Sequence, residues 1–183
     1  MYRLLPYREL SCPVNHAITT FKNVRLPSNA LLGPFEKFEY PYQEFLQSIW
    51  RVGIGSIALG SIGVPASKIH TTIGGLYSLR RMVGYGTKRV PILHFRTQQI
   101  PVLTAIAQSY VLEAYQKWAA KAFSDIEKDM RVHHGIATCF KAVAVQHTQS
   151  IALSVSERCG AQGIQSDNMM TNLHVGFNFV LRS

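Results

Sequence analysis

The chain has 183 residues, with a hydrophobic fraction of 47% and a charged fraction of 16%. This composition is typical of a single domain with a buried core and excludes a mainly disordered chain. The formal net charge of +9, from 19 basic and 10 acidic residues, favours anionic partners such as phosphate-bearing cofactors. The basic residues are scattered, in runs no longer than Arg80-Arg81 or Lys88-Arg89. Nucleic acid is therefore not expected as a partner, because it requires a clustered basic stripe.

Cysteine and histidine usage predicts the compartment and argues against a metal. The odd number of cysteines and their spacing fit neither a disulfide scaffold nor a metal site and favour a reducing compartment: Cys12, Cys139 and Cys159. We expect a cytoplasmic or peroxisomal protein, although Leu181-Arg182-Ser183 is not the Ser-Lys-Leu peroxisomal signal. The pair His133-His134 has no carboxylate or thiol at ligand spacing, so no metal is expected.

One uncharged, glycine-rich stretch raises the question of a membrane span. Val52 to Ser67 carries no charge, but it is shorter than the roughly 20 residues that a spanning helix needs. We interpret it as part of a buried core helix and expect no membrane span.

The first elements in chain order are extended. In an extended chain Ala17, Thr19 and Phe21 would alternate with Ile18 and Thr20 between the two faces, and Ser28-Asn29 interrupts the pattern. Leu31-Leu32-Gly33-Pro34 then ends it. We therefore predict a short β segment over residues 1–34, followed by a helical domain over residues 35–183.

The helical domain begins with a long apolar repeat. From Tyr42 to Tyr77 apolar residues recur every three or four positions, which predicts one long helix bent near Pro65, or two helices in line. Its glycines predict close packing against a neighbouring helix. Gly84-Tyr85-Gly86 and Val90-Pro91 then predict a loop.

Two further helices follow, over about Thr97 to Phe123 and Val132 to Arg158. Gly160 is placed for a helix C-cap. The pattern predicts a mainly α protein, an antiparallel helical bundle preceded by a short β segment. The residues predicted to face inward are Leu103, Ile106, Tyr110, Ala114 and Trp118 in the first of these helices and Ile136, Phe140, Val143, His147, Ile151 and Val155 in the second.

Three stretches carry a family resemblance. They are His16 to Gly33 (HAITTFKNVRLPSNALLG), His94 to Pro101 (HFRTQQIP) and Ser156 to Ile164 (SERCGAQGI). In this order they resemble the acyl-CoA oxidases, flavoprotein relatives of the acyl-CoA dehydrogenases, from the last β-domain strands through the C-terminal helical domain. The resemblance implies FAD as cofactor, acyl-CoA as substrate class, and a homodimer or a partner subunit.

The resemblance also assigns candidate FAD contacts before the second helix. Tyr85 to Arg89 is similar to the family's Tyr-x-x-x-Arg, whose arginine reaches the FAD pyrophosphate, so Arg89 is a candidate. A guanidinium suits this role because it binds phosphate oxygens in pairs. A solvated loop arginine remains the alternative. Arg96 occupies the place of a family glutamine that contacts the cofactor; Gln99 is a further candidate, and Gln98 and Gln99 are also interpreted as helix-packing amides.

The glycine turn supplies the remaining candidates. Cys159 to Gly163 looks like the family's Cys-Gly-Gly-His-Gly, where backbone N–H groups approach FAD, and this implies contacts from Gly160, Ala161 and Gly163. The neighbouring Glu157 places a negative charge near the pyrophosphate. A plain helix C-cap also explains Gly160.

No catalytic residue is assigned. The family's general base is a glutamate in a Glu-Gly stretch beyond the glycine turn, and no glutamate follows Glu157 here. The resemblance also lacks the N-terminal helical domain and most of the β domain. We expect the chain not to supply the base in the family's usual way.

Three interpretations of function follow. The chain contributes FAD- and dimer-contacting surface to acyl-CoA α,β-oxidation. Alternatively, it is a flavin-free bundle, either a binding or assembly protein or a cofactor-independent isomerase or cyclase for an apolar small molecule. Its candidate polar groups are then His147, Glu113 and Tyr110. Finally, the native reading frame continues beyond this sequence.

Overall fold

A computed structural model describes residues 2–4, 17–30, 37–125 and 129–174. The chain divides into two compact units, Met1–Phe45 and Leu46–Ser183. The sequence-based division after residue 34 stays a prediction, because residues 31–36 lie outside the described part.

The first unit contains one pair of short antiparallel strands. Strand β1 (Tyr2–Leu4) pairs with β2 (Ala17–Thr19), with Arg3 opposite Ile18. A 3-10 turn, Ser28–Ala30, lies at the predicted polar interruption. The predicted extended segment is confirmed at these strands, whereas His16 and Leu31-Leu32-Gly33-Pro34 lie outside the described residues.

Three long helices form the second unit. A short helix α1 (Pro41–Ser48) leads into α2 (Trp50–Arg80), and α3 (Arg96–Phe123) and α4 (Met130–Arg158) follow. Each long helix packs against the other two. The mainly α fold class is confirmed, and the predicted limits of α3 and α4 are correct to within two residues.

Helix α2 continues through Pro65 as one 31-residue element. By length and composition it is long and apolar enough to cross a membrane. The sequence argument counted only the uncharged stretch from Val52 to Ser67 and therefore underestimated the length of the apolar helix. Glycine and small side chains nevertheless line its contact with the rest of the bundle. At Gly60 a Cβ would press on the ring of Phe140 in α4, and at Gly74 it would collide with Val155. The close packing predicted for Gly53, Gly55, Gly60 and Gly63 is confirmed at Gly53 and Gly60, whereas a Cβ at Gly55 would meet nothing within 4 Å.

The predicted loop after α2 is a β-hairpin. Strand β3 (Met82–Tyr85) pairs with β4 (Lys88–Pro91), with Gly84 opposite Arg89. Gly86 has a φ of +60°, the conformation that a two-residue hairpin turn requires at its first position. The sequence predicted a loop between Gly84-Tyr85-Gly86 and Val90-Pro91; the structure instead pairs these two stretches as strands, and only Gly86-Thr87 form the turn.

The inward face predicted for α3 was also wrong. Leu103 and Tyr110 are 60% and 67% exposed and Trp118 is 57% exposed, and Ile106 and Ala114 are exposed as well. The residues that face the core are mostly small: Gln98, Val102, Ala105, Ser109, Leu112, Ala119 and Ala122. Periodicity located the apolar stripe, but the helix is apolar on two sides and small residues occupy the inner one.

In α4 the prediction was partly right. Phe140, Ile151 and Val155 are fully buried, and Ile136 is half-buried against them. Val143 and His147 are exposed, which corrects the interpretation of His147 as a core histidine. A buried polar contact instead joins α2 and α4, where the Ser67 and Thr148 hydroxyls lie 3.1 Å apart and Thr148 also donates to the Gly63 carbonyl.

Beyond α4 the chain turns back onto α2. A 3-10 turn, Gly160–Ile164, follows the helix, and residues 170–174 are helical. The buried ring of His70 lies between two carbonyl oxygens, with Nδ1 2.8 Å from that of Ala66 and Nε2 3.2 Å from that of Met170. Residues 175–183, which complete the segment that lacks a glutamate, lie outside the described part.

Candidate cofactor site

One glutamine joins the two motifs that lie far apart in sequence. Gln98, near the start of α3, donates through Nε2 to the hydroxyl of Ser78 at 2.8 Å and to the carbonyl of Arg158 at 3.0 Å. Because Ser78 lies near the end of α2 and Arg158 ends α4, all three helices meet here. The motif around Gln98 and the turn that begins at Cys159 therefore lie at the same end of the bundle.

This end of the bundle is basic. Arg96 is the first residue of α3 and is exposed, and Arg89 is exposed on β4. The hairpin links the end of α2 to the start of α3 and is fastened by a bond from the Ile92 amide to the Arg81 carbonyl at 2.8 Å. The exposed cations of this region are Arg80, Arg81, Lys88, Arg89 and Arg96. Guanidinium groups at the start of a long helix suit a phosphate group, since the helix dipole also favours negative charge there.

An aromatic cluster packs the end of β3 against the two residues that precede α3. The ring of Tyr85 lies 5.6 Å from that of His94 and 5.8 Å from that of Phe95. Gln99 makes a weak bond to the His94 carbonyl at 3.4 Å and is half-buried. The structure thus brings Gln99 to the same end as Arg96, although Gln98 is the amide with the stronger internal contacts.

The two glycines of the turn occur for different physical reasons. Gly160 has a φ of +60°, as a residue just past a helix C-cap does, and a Cβ there would meet nothing within 4 Å. Gly163 is buried, and a Cβ there would collide with the Ser156 carbonyl oxygen. Gly163 is therefore required by the chain's own packing, whereas the exposed Gly160 and Ala161 leave room for a ligand to approach.

The residue that sequence reasoning missed is Arg158. Its Nη2 lies 3.7 Å from the carboxylate of Glu157, which partly offsets the negative charge expected to disfavour FAD. Its Nε is buried and has no hydrogen-bond partner within the described ranges. A buried donor without an acceptor is costly, so an anionic oxygen at this place would fit. The signal was a basic residue directly before the glycine turn.

Below the turn lies the free thiol of Cys159, which is 2% exposed. Burial raises the pKa of this thiol, so the neutral form is favoured. The thiol is therefore a core side chain rather than a nucleophile.

Two of the three polar groups considered for a flavin-free site, Tyr110 and Glu113, lie beside Lys68, whereas His147 lies apart from them. Tyr110 lines a groove with Lys68 and Thr72 of α2, and Glu113 pairs with Lys68 at 2.8 Å. Hydrogen bonds from Lys68 and then Lys117 lower the pKa of Glu113, so it stays ionised and engaged. His147 instead lines a separate groove of about 360 Å³ between α3 and α4.

Comparison with known proteins then decides the family. The family model for the acyl-CoA oxidase C-alpha1 domain matches residues 61–178. The chain belongs to this family. The matched range of the C-alpha1 domain contains α3, α4, the hairpin and the glycine turn.

A solved structure shows the same fold. Butyryl-CoA dehydrogenase from Megasphaera elsdenii matches with a TM-score of 0.70 at 13% sequence identity, over 98% of this chain and 44% of that chain. This C-alpha1 chain therefore spans less than half the length of the dehydrogenase. Comparison with curated proteins gives no significant match.

Proposed function

We propose that the chain supplies FAD-contacting and subunit-contacting surface to an acyl-CoA oxidase-like flavoprotein that acts in acyl-CoA α,β-oxidation. The observation that supports this most is the Gln98 junction, which places Arg96, the hairpin and the glycine turn at one basic end of the bundle. Arg89 and Arg96 would hold the pyrophosphate, with Arg158 beside them. FAD, when bound, would supply the redox chemistry.

Each group has a defined part in this proposal. The guanidinium groups neutralise the phosphate charge and fix its position. Gly160 and Ala161 allow the cofactor to approach the backbone. The general base would come from a residue outside the assigned site or from a partner subunit, since none of the candidate side chains is a suitably placed carboxylate.

A second observation supports the subunit-contacting role. Large apolar side chains run along the outer face of α3: Ile100, Leu103, Ile106, Tyr110 and Trp118. A contiguous exposed apolar face is typical of a protein interface. We propose that a second copy of the chain, or a partner subunit, covers it.

The test of the cofactor role is flavin retention. The purified chain would be mixed with FAD, desalted and examined for visible flavin absorbance. We expect the native chain to retain flavin. Arg96→Ala and Arg89→Ala should each lower the affinity for FAD by roughly tenfold or more relative to the native chain, since each removes a charge-assisted bond. The matched control is Lys121→Ala, an exposed cation at the far end of α3.

The flavin-free binding role keeps one supporting observation. The groove of about 360 Å³ that contains His147 is also lined by Val111, Leu112 and Val143, so it is mainly apolar and of a size that suits a small ligand. If neither the native chain nor any variant retains flavin, binding of an apolar ligand in this groove becomes the stronger proposal.

A further inference from the structure

The end of the bundle opposite the candidate cofactor site contains a cavity of about 580 Å³. It lies where α2 and α4 begin and α3 ends. From Ile54 to Ser78, at 1.5 Å per residue, α2 rises about 36 Å, so the cavity is far from the Gln98 junction. The side chains that shape it are large and mostly apolar: Trp50, Ile54, Ile57, Phe123, Met130 and His133.

The inner wall of this cavity is held in place by the packing of the bundle. Ile57 is half-buried and packs against the hydrophobic core. The Phe123 ring lies so close to α2 that a Cβ at Gly53 would be 3.0 Å from it. The same ring lies 5.5 Å from that of His133 at an interplanar angle of 45°. The inner wall therefore presents fixed aromatic surfaces to a ligand, without rearrangement of the helices.

The charges around the cavity favour a neutral ligand. Among the described residues that line it, none is a Lys, Arg, Asp or Glu. Lys121 and Asp125 together line a neighbouring groove, and Asp129 pairs with Arg131 at 2.6 Å, so these opposite charges balance each other. An ionic group that entered the apolar cavity would lose its hydration without gaining a counter-ion, which is costly.

His133 supplies a directed polar contact in this apolar wall. Its Nε2 lies 2.7 Å from the backbone carbonyl oxygen of Asp125. Because a carbonyl oxygen only accepts, Nε2 donates, and Nδ1 of the neutral ring is then an acceptor. A mainly apolar cavity of this size with few polar groups is typical of small-molecule sites. The acceptor on His133 suits a ligand that has one O–H or N–H donor.

We propose that this cavity binds a neutral aromatic small molecule that carries one hydroxyl or amine donor. Its rings pack against Trp50 and Phe123, and its donor bonds to His133. Trp50 and Ile54 are 45% and 43% exposed and form the rim through which the ligand enters. This inference does not depend on flavin binding, since the cavity and the candidate cofactor site lie at opposite ends of the bundle.

The first test compares two dyes with the same ring system. N-phenyl-1-naphthylamine is neutral and has one N–H donor, whereas 8-anilinonaphthalene-1-sulfonate adds an anionic group. Each dye is titrated with the full chain, and the rise in its fluorescence is recorded. We expect the neutral dye to bind at least tenfold more tightly than the sulfonate. Equal or tighter binding of the sulfonate, or no binding of the neutral dye, would overturn the proposal.

Two alanine substitutions on α3 then locate the bound dye. Ala120 is exposed and lines the cavity, so Ala120→Trp fills it and should lower the affinity for the neutral dye at least tenfold. Ala107 is also exposed but lines the groove that contains His147, and Ala107→Trp should leave the affinity unchanged. Both variants should keep the native helical circular dichroism. Loss of affinity in Ala107→Trp, alone or together with Ala120→Trp, would overturn the assignment to this cavity.

A third variant tests the role of His133. His133→Phe keeps a ring but removes the acceptor, so it should weaken binding of N-phenyl-1-naphthylamine at least threefold. Binding of the N-methylated dye, which has no N–H, should stay the same. Equal losses for the two dyes, or no loss for either, would show that His133 accepts no bond from the ligand. Flavin retention by Ala120→Trp should equal that of the native chain, so failure of the cofactor proposal and failure of this one are separable.

Discussion

At the scale of single residues, glycines set how closely α2 approaches α4. Gly74 lies against Val155, where a Cβ would collide with a methyl group, whereas a Cβ at Gly55 would meet nothing within 4 Å. Both glycines lie in the same helix. Substitutions at these two glycines therefore separate the effect of the contact with α4 on stability from the effect of helix propensity.

We predict opposite effects of alanine at these two positions. Gly74→Ala should lower the free energy of unfolding by roughly 1–3 kcal/mol, because it overpacks the contact with α4. Gly55→Ala should raise it by about 0.5–1 kcal/mol, because alanine is the better helix former. Urea denaturation measures both. A stabilising Gly74→Ala would show that the helices are less closely packed than the structure indicates, and Val155→Ala in the Gly74→Ala background should restore most of the loss.

Asp129 gives a prediction that depends on pH. It is the N-cap of α4 and accepts from the Arg131 amide at 2.8 Å. Hydrogen bonds from Arg131 lower the pKa of this carboxyl from 3.8 to about 2. Since the folded-state pKa is the lower one, the stabilisation is complete above the unfolded value and is lost as the pH falls from about 4 to about 2.

Asp129→Asn keeps a capping side chain but cannot ionise. We therefore expect its thermal midpoint to lie below that of the native chain at neutral pH, by no more than a few degrees because the pair is exposed, and the two midpoints to converge near pH 2. Thermal unfolding followed by circular dichroism across this range is the measurement. A midpoint difference that stays constant with pH would contradict the assignment of the pKa shift to Asp129.

At the scale of elements, the three helices depend on one amide at their shared end. Gln98 is 9% exposed and donates to both α2 and α4. A glutamate at this position offers no donor and adds a buried charge beside a carbonyl oxygen. The neighbouring Gln99 donates weakly, to a carbonyl of its own segment, and so serves as a matched control.

We predict that Gln98→Glu lowers the free energy of unfolding by roughly 1–3 kcal/mol and that Gln99→Glu changes it by less than about 0.5 kcal/mol. If the candidate cofactor site depends on this junction, Gln98→Glu should also weaken FAD retention at pH 7. Chemical denaturation and flavin retention are measured on the same preparations. Equal stability losses in the two variants would show that the Gln98 contacts contribute little.

The elements also show what sequence periodicity predicts and where it fails. It predicted the limits of α3 and α4, because polar residues and Gly160 mark their ends. It gave the wrong inner face for α3, because Leu103 and Tyr110 look like core residues while Ala105 and Ala119 do not. Hydrophobicity does not show which of two apolar faces packs closely, and that choice depends on the neighbouring helix. Similarly, the motif resemblance predicted the glycine turn, but the position of Arg158 depends on the contact between α3 and α4.

At the scale of the whole molecule, the described surface contains more large apolar side chains than the core, in which alanine is common. The outer α3 face is the surface that we assign to a subunit contact. The +9 net charge favours an anionic ligand or partner and opposes nonspecific self-association.

We predict that the native chain self-associates and that Leu103→Glu shifts it toward the monomer, because the substitution places a charge in the middle of the α3 face. Leu153→Glu, on an exposed part of α4, should leave the association constant within about twofold, since it changes a surface outside the proposed contact. Sedimentation equilibrium over a range of protein concentrations is the measurement. A native chain that remains monomeric at all concentrations would leave the α3 face without a second copy as its occupant.

The unequal sides of α2 have a consequence for how its sequence can vary. Inner positions such as Gly60 and Gly74 leave little room for an added carbon. Outer positions such as Ile62 and Ile69 are exposed and should accept polar replacements without loss of folding. Saturation mutagenesis of α2 scored for folding should therefore give a tolerance profile that repeats with the turn of the helix.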